Sequence, residues 1–217
     1  AIRVPQAVCQ GGASGMAFLV LEYLPLASRG SFAEMGRRLA KLHAVTNHCF
    51  GWHVDNYIGT TPQRNAPSAD WIGFFRDQRL AFQIELARRG GLALPQADVL
   101  LANLQQFFEG YQPLPSLLHG DLWSGNAGFL QDSGEPVLFD PACYYGDREC
   151  DLAFTEMFGG FAPQFFQAYT AQWPLAAGYG RRKRLYNLYH ELNHFNLFGG
   201  SYGSQARATI AELCSQL

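Results

Sequence analysis

The chain has 217 residues, 48% hydrophobic and 16% charged, which is enough apolar material for one or two buried cores and too much for a disordered chain. A formal net charge of -2 gives no broad basic field, so neither nucleic acid nor an anionic membrane surface is an expected partner. No segment has the uninterrupted apolar length that crosses a bilayer, and the first residues lack the basic-then-apolar layout of a signal peptide.

In chain order, Val4 to Val8 and Met16 to Leu24 are predicted as two strands joined by a turn at Gly11-Gly12-Ala13-Ser14-Gly15. This glycine cluster does not follow G-x-G-x-x-G and precedes no helix, so it reads as a hairpin turn and not as a phosphate cradle. Ser31 and Glu34 form a capping box ahead of Phe32, Met35, Leu39, Leu42 and Val45, which predicts a helix over about 32–46. His43, on or beside its apolar face, is expected as a hydrogen-bonded core histidine. After a polar irregular stretch from Asn47 to Pro67, Trp71, Phe74, Phe75 and Phe82 mark a long helix that ends at Gly90-Gly91. Leu101, Leu104 and Phe108 mark another that stops before Pro113.

From Pro115 the texture changes to short apolar runs. Ala127 to Leu130 and Pro136 to Phe139 are predicted as a hairpin around Asp132-Ser133-Gly134, and the remainder from Asp151 is predicted helical, with breaks near Gly159-Gly160 and Pro174. The basic run Arg181-Arg182-Lys183-Arg184 reads as the solvated start of a helix. Cys9, Cys49, Cys143, Cys150 and Cys214 are an odd set without C-x-x-C, against a disulfide framework or zinc knuckle and in favour of a reducing, cytoplasmic setting. The order of elements predicts an α+β domain dominated by helix.

The chemistry concentrates in His119-Gly120-Asp121-Leu122-Trp123-Ser124-Gly125-Asn126, followed across the predicted hairpin by Asp140-Pro141-Ala142. Phosphoryl transfer needs a carboxylate to orient and deprotonate the acceptor hydroxyl, and hard oxygen ligands for the magnesium that bridges the nucleotide phosphates. Asp121 fits the base, Asn126 a neutral metal ligand and Asp140 the anionic one; the spacing parallels H-R-D-x-x-x-x-N before D-F-G in protein kinases.

The words L-L-H-G-D-L-W-S-G-N (Leu117 to Asn126) and D-P-A-C-Y-Y-G-D-R-E-C-D-L-A (Asp140 to Ala153) resemble the signature of the fructosamine/ketosamine-3-kinase family. The likeness extends to Asp55-Asn56-Tyr57-Ile58-Gly59, to Trp71 to Leu80, and to Asn193 through Gly200. The H-G-D-x-x-x-x-N core alone is shared with aminoglycoside and choline kinases; Trp123-Ser124-Gly125 and Tyr144-Tyr145-Gly146 make the match specific. The resemblance implies a protein-kinase-like fold and transfer of the ATP γ-phosphate, with Mg2+, to the sugar O3 of a ketoamine, whose 3-phosphate then releases the amine. It implies Asp121 as base, Asn126 and Asp140 as magnesium ligands, and Glu22-Tyr23-Leu24 as the hinge whose backbone meets adenine. Asp151 and His119 would support the catalytic loop, and Trp123, Tyr144 and Tyr145 are candidates to contact substrate.

Two departures from the family pattern bear on function. Asp147 stands where G-H-R-E would have histidine. The chain also holds only two lysines, Lys41 and Lys183, neither in a predicted strand, so the glycine-rich loop and the strand lysine of such a kinase have no counterpart here. Residues 1–24 are therefore expected as a remnant of the N-lobe with the hinge, 25–217 as the helical C-lobe, and the chain alone as inactive, with its exposed N-terminal strands either self-associating or disordered. Competing readings are another phosphotransferase of the same fold, a non-catalytic pseudokinase fragment, and a zinc hydrolase through His190-Glu191-Leu192-Asn193-His194, a literal H-E-x-x-H.

Overall fold

The hairpin at the front differs from its predicted bounds. In the computed structural model, which describes residues 2–217, β1 (Ala7–Ala13) pairs antiparallel with β2 (Met16–Leu21) around a turn at Ser14 and Gly15, both at positive φ. Gly11 and Gly12 lie inside β1 and not in the turn, because Gly11 faces Phe18, whose ring lies where a side chain at 11 would go. Every residue of both strands is exposed, including Val8, Phe18, Leu19 and Val20. Glu22 to Pro25, expected to continue the second strand as far as Leu24, are a non-strand connector. Ile2, by contrast, is buried with Met35, Leu39, Phe129 and Leu138, and Arg3 bridges in parallel to Val137. Residues 2 and 3 thus pack with the helical body, whereas the hairpin over 7–21 is exposed.

The cap at Ser31 forms as its sequence dictates: the hydroxyl accepts the Glu34 N–H at 3.1 Å and starts α1 (Phe32–His43). Glu34 turns outward to Arg37 and Arg38, and the helix ends at His43, short of the predicted 46. Helix α1 crosses α6 (Pro163–Gln172) closely at Gly36, where a Cβ would stand 2.2 Å from the Phe165 carbonyl oxygen. The long helix predicted over 71–90 is continuous but changes pitch, as α2 (Trp71–Phe74), a π-helical stretch Phe75–Ala81 and α3 (Phe82–Arg89). Arg79 in that stretch is fully buried, with its guanidinium on Asn65 Oδ1 at 2.8 Å and over the Tyr144 ring at 4.1 Å. The next predicted helix is α4 (Ala97–Ala102) followed by a 3-10 segment, Leu104–Phe108.

Three small sheets position the loops: β3 (Leu26–Ala27) beside β7 (Ala127–Leu130) and β8 (Pro136–Leu138), β4 (Asn56–Ile58) with β5 (Thr61–Gln63), and β6 (Ser116–Leu118) with β9 (Tyr144–Gly146). Helices α5 (Glu149–Met157), α7 (Tyr179–Phe198) and α8 (Tyr202–Cys214) complete an α+β architecture with two apolar cores. One core joins Trp71, Phe74 and Phe75 to Tyr186 and Leu188; the other joins α1 and α6 to the three-stranded sheet. The basic run starts α7 as expected, but Arg182 is not solvated: it is 1% exposed and paired bidentately with the buried Glu149, with Nε to Oε2 at 2.6 Å. Deleting either partner would strand a buried charge, at a cost of about 3–5 kcal/mol.

Candidate active site

Strand β6 delivers the chain to His119, and the start of the loop from there to Asn126 is held mainly through its backbone. Asp151, near the start of α5 and 1% exposed, accepts the His119 N–H at 2.8 Å on Oδ2 and the Gly120 N–H at 2.9 Å on Oδ1. The same Oδ2 meets His43 Nε2 at 3.1 Å, and His43 Nδ1 lies 2.7 Å from the Tyr169 hydroxyl. His43 is therefore a fully buried, hydrogen-bonded member of the core, as its sequence position suggested. Burial alone would raise the Asp151 carboxyl; the His43 contact and the neighbouring donors outweigh it and hold the group below the usual range.

His119 sets the distance between the two functional loops. Its Nε2–H donates to the Phe139 carbonyl at 3.0 Å, which leaves Nδ1 to accept the Asp121 N–H at 3.3 Å. Burial lowers the imidazole's pKa and so favours this neutral form, against the charge of Asp151. Gly120 has φ +82, and a Cβ there would lie 2.1 Å from the Ala142 carbonyl oxygen, so only glycine admits this approach of the two loops.

Asp121, Asn126 and Asp140 come together in one cleft of about 610 Å³, which Trp123 also lines. Asn126 closes a short 3-10 turn (Ser124–Asn126), is 6% exposed, and donates through Nδ2 to Asp121 O at 2.9 Å and Asp121 Oδ2 at 3.1 Å. Burial pushes the Asp121 carboxyl up to about 6; the Asn126 bond works against this, and the charges of Asp140 and Asp151 add to it. Asp140 follows β8 in the left-handed region, at φ +56, one of only two non-glycine residues there among those described. A non-glycine residue held in that region points to a constrained functional position.

The fit of this set to magnesium rests on donor chemistry. Asn126 commits its nitrogen to Asp121 and to the Asp140 carbonyl, which leaves its Oδ1 without a hydrogen bond among the described residues, and Asn126 lines the cleft together with the exposed Asp140. A neutral oxygen and a carboxylate are what a hard divalent cation takes when phosphate oxygens and water complete its shell.

Other expected residues fall elsewhere. Tyr144 is 3% exposed, with its ring on Phe74 and under Arg79, and Tyr145 packs on Trp52; neither lines the cleft, so neither is placed to contact a substrate there. The alternation of β9 explains this, since it turns Tyr144 into the core and Tyr145 to the opposite face. Asp147 is also away from the cleft: it is 1% exposed and accepts from Tyr111, Tyr186 and the Glu149 N–H, a buried polar junction. Glu22 is tied to Arg3 and Gln6, while among the described residues the backbone N–H and C=O groups of Tyr23 and Leu24 make no hydrogen bond.

The H-E-x-x-H word does not build a metal centre. The His190 ring is stacked on Phe154 at 3.5 Å, burial lowers its pKa to about 3, and no three His, Cys, Asp or Glu side chains among the described residues converge on a cation. His194 instead joins the cleft lining with Phe158, Phe198 and Tyr202, and Ile58 and Gly59 supply the opposite rim. Apart from His194 as a zinc ligand in H-E-x-x-H, sequence reasoning gave these residues no role. The only signal for them was that Ile58, Gly59, His194 and Phe198 lie within the family words at 55–59 and 193–200.

Comparison with known proteins agrees with the geometry. A Synechocystis sp. protein named probable ketoamine kinase slr1563 is 48% identical over 214 residues, which cover 97% of this chain and 72% of the relative. An Arabidopsis thaliana protein named protein-ribulosamine 3-kinase, chloroplastic, is 44% identical over 223 residues, which cover 100% of this chain and 68% of the relative. The crystal structure of a protein assigned as a fructosamine-3-kinase from Haemophilus somnus superposes with a TM-score of 0.90 at 32% identity, over 98% of this chain and 73% of that one. The choline kinase LicA from Streptococcus pneumoniae, at 13% identity and a TM-score of 0.58 over 92% of this chain and 70% of its own, shares the protein-kinase-like fold. With the family described as Fructosamine kinase matching residues 1–216, the chain belongs to the fructosamine kinase family.

Proposed function

We propose that this chain carries the acceptor and metal half of an ATP-dependent kinase that phosphorylates the sugar O3 of ketoamines, of fructosamine or ribulosamine type, and so leads to deglycation. The observation that carries it is the convergence of Asp121, Asn126 and Asp140 in one cleft, on loops fixed by Asp151 and His119. Asp121 acts as general base on the acceptor hydroxyl; a carboxyl raised to about 6 sits near working pH, where a base is both ionised and a good proton acceptor. Asn126 and Asp140 would hold magnesium, which when bound neutralises charge on the transferring phosphoryl group. The unused backbone groups of Tyr23 and Leu24 suit adenine, and Trp123, 39% exposed at the cleft, suits the sugar.

The lysine that orients nucleotide phosphates has no candidate here. Lys41 is on the exposed face of α1 and Lys183 is paired with Glu156, both outside the cleft. We therefore expect the 217-residue chain by itself to turn over orders of magnitude more slowly than a complete kinase, because phosphoryl transfer depends on positioning. Its five cysteines are free, which suits a reducing compartment such as cytoplasm. The test is a screen of the complete gene product with ATP and magnesium against fructosyl- and ribulosyl-amines, choline and aminoglycosides. Turnover of ketoamines alone supports the reading, and a preference for either other class sinks it.

A further inference from the structure

The cleft that holds Asp121 continues past Trp123 onto a run of rings from separate parts of the chain. Trp123 meets Phe158 edge-on at 6.2 Å, Phe158 meets His194 edge-on at 5.4 Å, and Tyr202 and Phe198 stack on His194 at 5.0 and 5.8 Å. A backbone break builds the far end: Gly199 and Gly200, at φ +68 and +64, end α7 and return the chain so that Tyr202, the first residue of α8, covers His194. Phe198 is 70% exposed and Phe158 46%, large apolar rings left in water beside the catalytic carboxylate.

Charge decides what this ribbon takes. Asp121 and Asp140 line the same cleft, and among the described residues no lysine or arginine does. Burial lowers the pKa of His194, so its ring is neutral near pH 7. Asp121 and several ring faces, with no basic side chain among them, disfavour an anionic acceptor and favour an ammonium carried on an apolar arm, since ring faces attract cations and apolar stems lie well along them.

We propose that the ribbon of Trp123, Phe158, His194, Phe198 and Tyr202 is an acceptor subsite for a protonated amine and its aliphatic arm, entered while the acceptor's hydroxyl lies at Asp121. The proposal rests on the ketoamine reading above and deepens it. A ketoamine bears a secondary ammonium one carbon from its sugar, and in glycated lysine the nitrogen continues into the flexible lysyl stem. A cleft of about 610 Å³ holds a sugar and such an arm, and the exposed ring of Phe198 lies where the arm would leave the cleft for the rest of a peptide.

Calorimetric binding to the 217-residue chain, without nucleotide, tests this with two probes: fructosyl-lysine blocked at both termini, and its isostere with an ether oxygen in place of the amine nitrogen. The ammonium probe should bind about threefold to thirtyfold more tightly than the ether. Phe198→Leu and Tyr202→Leu, which keep apolar bulk and remove the ring face, should shrink that ratio, and together bring it toward one, with little change in ether affinity. Thermal melts establish that both variants fold. Equal affinity for the probes in the parent chain, or an undiminished ratio in the double variant, overturns the subsite. If neither probe binds, the ketoamine reading fails, and choline and an aminoglycoside take their place. A cation weakened by the same variants then keeps the ribbon with a different acceptor, and no bound cation overturns it.

Discussion

Asp151→Asn isolates the group on which the loop bearing Asp121 hangs. The replacement keeps the shape of a side chain that accepts three donors: Gly120 N–H on one oxygen, His119 N–H and His43 Nε2–H on the other. An amide has one oxygen, so in either orientation its NH2 meets a backbone N–H. With the nitrogen toward His119, His43 can change tautomer, because the Tyr169 hydroxyl beyond it can donate or accept, but the His119 N–H cannot adapt. With the nitrogen toward Gly120, that N–H is the one stranded. A charge-assisted bond contributes about 1.5–3 kcal/mol and an unsatisfied buried donor costs about 1–3, so a net loss of about 3–5 kcal/mol is expected. That is a large fraction of the ~5–15 kcal/mol of a typical domain, and it falls directly before Asp121. Urea denaturation gives the magnitude, and amide exchange at His119 and Gly120 gives the location. A loss below about 1 kcal/mol, or unchanged protection of both amides, would refute the argument that Asp151 braces the loop. The held-down carboxyl also sets the sign with pH: its contribution is present above the ordinary aspartate range and is lost as acid protonates it, so parent and variant should converge at low pH.

Other outcomes rest on the same geometry. Asp121→Asn in the complete gene product should lower kcat about 10²- to 10⁴-fold while nucleotide affinity stays nearly constant; equal loss of ATP binding would remove Asp121 from the base role. Gly120→Ala adds a Cβ 2.1 Å from the Ala142 oxygen at φ +82, so it should separate the two loops and abolish magnesium-dependent nucleotide binding, read by titration calorimetry. His190 is neutral when folded, with a pKa of about 3, and takes up a proton when unfolded near 6.5; stability should therefore fall as pH drops below 6.5, by about 1.4 kcal/mol per unit, and His190→Phe should flatten that slope in urea melts. The exposed hairpin of β1 and β2 should drive self-association that Phe18→Ser and Val20→Ser weaken, and a strictly monomeric sedimentation profile for the parent chain would count against it.

The words that bring Asp121, Asn126 and Asp140 into one cleft could be read from sequence because their spacing matches the chemistry proposed for them: a base, a neutral ligand five residues on, and a carboxylate after a hairpin. The capping box at Ser31 and the aromatic helix from Trp71 could be read because caps and periodicity are local properties. The rest depended on distant partners. Gly11 and Gly12 looked like a turn until Phe18 covered the first of them across the hairpin. Arg182 looked solvated until Glu149, thirty-three residues earlier, was seen to pair with it. Tyr144 and Tyr145 differ only in which face of a three-residue strand they occupy, and nothing local to the sequence says which side is core. The aromatic ribbon was hidden for the same reason, since its rings come from the catalytic loop, the end of α5 and the α7–α8 break.

These long-range partners also explain how the proposed base and metal site, built on loops, can be held in place. The Ala142 N–H bonds to the His119 carbonyl, His119 bonds back to the Phe139 carbonyl, and Phe139 N–H reaches Asn126 O at 3.1 Å, so the two loops are laced on both sides of Asp140. Gln63 on β5 adds an outer anchor, donating to the Ala142 carbonyl at 3.0 Å while accepting from Tyr189 of α7. The two loops are therefore tied to each other and, through Asp151 and Gln63, to α5 and α7. A change that loosens Asp151 should displace Asp140 as well as Asp121, so magnesium and acceptor affinity should fall together in Asp151→Asn. Loss of one without the other would mean that the two loops are positioned independently.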